Sequence, residues 1–86
     1  MKEHVKLTKR NELDAANRGD GPLGRAGDDE PVFIVRAHDA LAVEVVGCWL
    51  DAARRVGVDA RKIHGIERLL TDMHVWRGDN GTKVPD

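Results

Sequence analysis

The sequence contains no serine and no tyrosine, and its only cysteine is Cys48. Without serine the commonest hydroxyl nucleophile is missing. One cysteine admits no internal disulfide and no Cys-x-x-Cys metal or redox motif. Aromatic residues are confined to Phe33, Trp49 and Trp76, so each carries a large share of whatever packing the chain achieves. Neither sign of charge dominates: 14 Lys and Arg stand against 15 Asp and Glu, a net charge of −1. That balance removes any overall attraction to nucleic acid or to an anionic membrane. No apolar run approaches membrane-span length, and the first residues, Met1-Lys2-Glu3-His4-Val5, have no signal-peptide core. The expected location is the cytoplasm, with no membrane partner.

What remains is a chain of 86 residues, enough for one small domain with a thin core. Residues 1–30 read as a flexible arm. Between 9 and 30 the large apolar residues are only Leu13 and Leu23, and the stretch Arg18–Asp29 is glycine-rich and charged. Such composition buries too little to offset its ordering entropy. Val5 and Leu7 alternate with polar residues, a short strand signal at 3–8.

Residues 31–86 read as a single strand–helix–helix domain of the α+β class, mainly α. The run Pro31-Val32-Phe33-Ile34-Val35-Arg36-Ala37 has the β-branched and aromatic content of a strand at about 32–37. Alternation would place Phe33, Val35 and Ala37 against the core, and Val32, Ile34, Arg36 and His38 on the other face. Asp39 is placed to cap a helix over 40–56, with a stripe of Leu41, Val45, Cys48, Trp49, Ala52 and Val56 widened by Val46, Leu50 and Ala53. Cys48 in that stripe reads as a small buried hydrophobe, whereas Glu44 and Asp51 share an exposed face. Gly57 ends this helix, and Asp59 caps a second one over 60–77, with Ile63, Ile66, Leu69, Leu70, Met73 and Trp76 as its stripe and Gly78 as its stop. The three-residue connection predicts an antiparallel helical hairpin.

No catalytic constellation emerges. His4, His38, His64 and His74 show no metal-ligand spacing, no phosphate loop is present, and the acidic residues are not paired across a pocket. The expectation is therefore a protein that is not an enzyme, with no metal and no cofactor. Two clusters qualify for ligand or partner binding. Arg36, His38 and Asp39 lie where the strand meets the start of the first helix, a place suited to an anion. Arg54, Arg55, Arg61 and Lys62 surround the hairpin turn. Arg61 and Lys62 sit in a first helical turn, where the dipole does not favour cations. Val32 and Ile34 need cover that a domain this small can hardly supply, which predicts a homodimer formed through the strand edge.

From Glu30 onward the chain resembles a small phage and prophage protein family of no established activity. The resemblance is carried by Asp29-Glu30-Pro31-Val32-Phe33-Ile34-Val35-Arg36-Ala37, then Asp39, Trp49, the Gly57 turn, Met73, Trp76 and the ending Lys83-Val84-Pro85-Asp86. His38 stands where that family would carry glutamine. The resemblance implies a phage-encoded, non-enzymatic counter-defence factor in the host cytoplasm, binding a host defence protein as anti-CRISPR inhibitors do. Two alternatives go with it: an oligomeric sponge that sequesters a nucleotide signal, and a structural or morphogenesis adaptor.

Overall fold

The computed structural model describes residues 6–85. Among them it is all-α, with helices α1 (Lys9–Asn17), α2 (Gly21–Arg25), α3 (Ala42–Val56) and α4 (Ala60–Asn80). The chain divides into two compact units, one ending at Ile34 and the other beginning at Val35.

The expected strand at 32–37 is absent, which corrects the α+β assignment. The described residues include no strand, and residues 31–36 adopt no regular structure. None of residues 31–35 enters a backbone hydrogen bond among those residues. The β propensity of valine, phenylalanine and isoleucine reflects a fit to a paired, half-covered surface. With no second strand to pair with, that propensity has nothing to act on, and there is no strand edge for a dimer. Val35 and Ala37 do pack against the core of the second unit. Phe33, expected beside them, is 81% exposed.

The first unit holds α1 and α2 in the segment read as an arm. Thr8 starts α1: its hydroxyl accepts the Asn11 amide at 3.2 Å, while the Asn11 side chain donates to the Lys6 carbonyl at 2.7 Å. Of the short strand expected at 3–8, residues 3–5 lie outside the described residues, and 6–8 are the irregular lead-in to this cap. After α1 the chain turns through Gly19 and enters α2 with Pro22 in its first turn, a position where the missing N–H costs nothing. The two helices pack on each other, and Gly24 is the contact point. A Cβ there would sit 2.8 Å from the Gly19 carbonyl carbon and 3.1 Å from the Ala16 Cα.

The second unit is the predicted helical hairpin, with two shifts. α3 starts at Ala42 instead of 40, because Ala40 is engaged elsewhere: its amide donates to the Lys83 carbonyl at 2.9 Å. α4 runs through Gly78 to Asn80, three residues beyond the expected end at 77, and Gly81 ends it. The turn between the helices is as read. Gly57 takes φ 77°, ψ 36°; its amide donates to the Arg54 carbonyl and the Val58 amide to that of Ala53. This pair of bonds is a Schellman closure, which needs a left-handed residue and therefore glycine.

The core row of α3 also differs from the expected one. The buried residues are Ala42, which the expected stripe did not include, and Val46, Leu50 and Ala53, read as its margin. Leu41, Val45, Cys48, Trp49 and Val56, read as its centre, are exposed. Cys48 is thus no buried hydrophobe. Apolar residues occupy two adjoining rows on this helix, and periodicity alone does not say which row meets α4. On α4, Met73 is buried and Ile63, Ile66, Leu69 and Leu70 pack against the same cluster, as expected. Trp76 lies at the margin and remains half exposed.

Candidate functional site

The first cluster lies at the open end of the hairpin, where α3 begins and α4 ends. Arg36 is exposed, and its carbonyl accepts the Asp39 amide at 3.0 Å in a turn. Asp39 caps from three residues before the start of α3: its carboxylate accepts the Leu41 amide at 2.7 Å, and its carbonyl accepts that of Ala42 at 3.0 Å. His38 meets Trp76 edge-on, with ring centroids 6.1 Å apart. The tail after α4 returns to this turn in a parallel bridge between Asp39 and Lys83. In it the Lys83 amide donates to the His38 carbonyl and the Ala40 amide to the Lys83 carbonyl, each at 2.9 Å. An anion approaching the first amides of α3 therefore meets the Asp39 carboxylate already seated there. Sequence reasoning missed the tail's part in this arrangement, since two isolated backbone bonds leave no trace in side-chain pattern.

The second cluster is at the closed end. Arg54 reaches across the hairpin to Glu67 at 2.8 Å and along α3 to Asp51 at 3.6 Å. The Arg55 side chain donates to the Asp51 carbonyl at 3.4 Å. Arg61 is compensated by its own cap: Asp59 accepts the Arg61 amide at 2.8 Å and pairs with its guanidinium at 3.4 Å. Lys62 is exposed. The structure thus brings Asp51, Asp59 and Glu67 in among the four cations. Asp51 was readable as the i−3 neighbour of Arg54, whereas Glu67 becomes a neighbour only through the register of the hairpin. These pairs are solvent-facing, so water and salt screen them and each contributes little to stability.

Among the described residues, Asp59 carries the one resolved shift in acidity. Its carboxyl is held below its ordinary 3.8, first by the Arg61 amide and then by the Arg61 side chain, with a smaller contribution from the Lys62 amide against a little desolvation. A carboxyl with a lowered folded-state pKa stabilises the fold above its unfolded value and loses that contribution as the pH falls through the folded one. Acid melting as the pH falls through and below 3.8 will therefore be less steep in Asp59→Asn, whose amide caps equally well but does not titrate. Thermal unfolding followed by circular dichroism at each pH checks this.

The expected dimer contacts Val32 and Ile34 are 55% and 70% exposed and flank Phe33. They form a run of three large apolar side chains open to solvent. Among the described residues no group of three or more His, Cys, Asp or Glu could hold a metal ion, and no helix is long and apolar enough to cross a membrane. Compared with known proteins, the chain matches no family model, no curated protein and no solved structure.

Proposed function

We propose that this chain is a non-enzymatic binding protein, phage-encoded and serving counter-defence by inhibiting a host defence protein. The observation that carries the binding reading is the run Val32-Phe33-Ile34, exposed side by side and without backbone partners among the described residues. Neighbouring large apolar side chains in water are costly unless a partner covers them. A segment with unused backbone groups can also add to a partner's sheet edge or groove. The phage setting and the choice of target rest on the resemblance of residues 29–39 and the chain's end.

The test is plaquing of a targeted phage on a bacterium with an active CRISPR system that expresses this chain. Plaques recover with the natural sequence. Phe33→Ala removes a central aromatic anchor, weakening the complex by about 2 kcal/mol, roughly thirtyfold in Kd. Plaquing then falls while the helical signal of the purified protein is unchanged. No recovery, or recovery that ignores Phe33, overturns the reading. The sponge alternative is addressed on the same purified protein: a nucleotide found bound by native mass spectrometry, and lost in Arg36→Ala, would replace the inhibitor reading.

A further inference from the structure

Helix α3 has more apolar surface than its one helical neighbour can cover. The buried row Ala42, Val46, Leu50 and Ala53 faces the core. Beside it runs a second row, Leu41, Val45, Cys48, Ala52 and Val56, with Trp49 between the two. All of these except Ala52 are exposed. At about 100° per residue the two rows together span about 200° of the helix, whereas packing on one layer uses about 100°.

We propose that this second row is the interface of a two-fold homodimer, in which the α3 helices of two copies pack antiparallel with Cys48 at the axis. Three observations select a second copy as the occupant. The first is spacing: Leu41, Val45, Cys48 and Ala52 alternate steps of four and three, the seam of a helix packed on a like helix. The second is self-complementarity. A two-fold axis near Cys48 sets Leu41 of one copy against Val56 of the other, and Val45 against Ala52, so that every large side chain meets an apolar one.

The third is charge. Glu44 and Arg55 lie on the same flank of the row, toward opposite ends of α3. An antiparallel two-fold keeps like flanks together and reverses the ends, bringing Glu44 of each copy beside Arg55 of the other. A parallel two-fold would carry these flanks to opposite sides of the seam, where neither Glu44 nor Arg55 gains the other as a partner. Antiparallel packing also opposes the helix dipoles favourably. The mixed signs around the row do not match an anionic membrane. The thin core gives the association its role: Ala42, Val46, Leu50, Ala53 and Met73 are the buried hydrophobic residues described, and small domains commonly find missing cover in a second copy.

This inference uses residues separate from Phe33, so either reading can fail without the other. Sedimentation equilibrium will give about twice the 9.5 kDa chain mass. Copper–phenanthroline will join the two Cys48 thiols, which pass two electrons to the oxidant and two protons to the buffer. A covalent dimer will then appear on a non-reducing gel, since bridging requires Cα atoms within about 7 Å. Val45→Glu will yield a monomer. Glu44→Arg and Arg55→Glu will each weaken the dimer about tenfold, and the two together will restore it. The restored pair decides the matter even where Val45→Glu disturbs folding. A monomer at all micromolar concentrations overturns the proposal. So does a dimer that forms no Cys48 cross-link and ignores the charge reversal, or association only with a different protein.

Discussion

Leu50→Ala will cost the hairpin about 2–5 kcal/mol, the largest single-site loss expected in this chain. Leu50 is 3% exposed at the centre of the α3 core row, packed in one cluster with Ala42, Val46 and Met73. Truncation removes its transfer free energy and leaves a void that helices tied by a short turn fill only partly. Small domains hold about 5 kcal/mol in total, so the variant will be largely unfolded at body temperature. Urea unfolding followed by helical ellipticity will show a lowered midpoint. Val75→Ala, at a 65% exposed position on α4, is the matched control and will stay within about 0.5 kcal/mol of the natural chain. Equal effects from the two substitutions would mean that the buried row has been misassigned.

Gly24→Ala is the second. Inside an exposed helix this exchange normally adds stability, about 1 kcal/mol. Here the new methyl group would lie 2.8 Å from the Gly19 backbone, where no flexible side chain can swing aside. Overpacking of this kind costs about 1–3 kcal/mol, so the sign reverses. The loss will be local. Amide hydrogen exchange in residues 9–25 will speed up, while the protection of α3 and α4 stays as it was, because the two segments belong to separate compact units. Unchanged exchange in α1 and α2 would show that the close approach of Gly24 to the Gly19 turn does not hold in solution.

The hairpin was legible because its signals are local. Gly57 can close a helix only in the left-handed region, Asp59 is a cap one residue before α4, and the Ile63–Met73 spacing leaves α4 one buried face. The strand was misread for the complementary reason: β structure is a property of pairs, and a single apolar run does not reveal whether its pair exists. Phe33 marks the difference, since only its neighbours beyond Ile34 have a surface to pack on. α1 was missed because hydrophobic periodicity is silent in a helix whose only large apolar residue is Leu13; its signal was the Thr8–Asn11 cap. Of the candidate site, the cations were found by composition. Their carboxylate partner across the hairpin, Glu67, depended on a register that no single helix encodes. The row inversion on α3 has the same origin, as two adjoining apolar rows become distinguishable only once α4 has chosen one of them.

The bridge between Asp39 and Lys83 turns the hairpin into a ring. At one end α3 and α4 are joined by three residues of chain; at the other they are joined by two hydrogen bonds at 2.9 Å and the edge contact of His38 with Trp76. The covalent end cannot open. Any separation of the helices must therefore begin at the bonded end, so the order of unzipping is written into the connectivity. The core residues nearest that end, Ala42 and Met73, will meet water first, while Ala53, next to the Gly57 turn, stays enclosed longest.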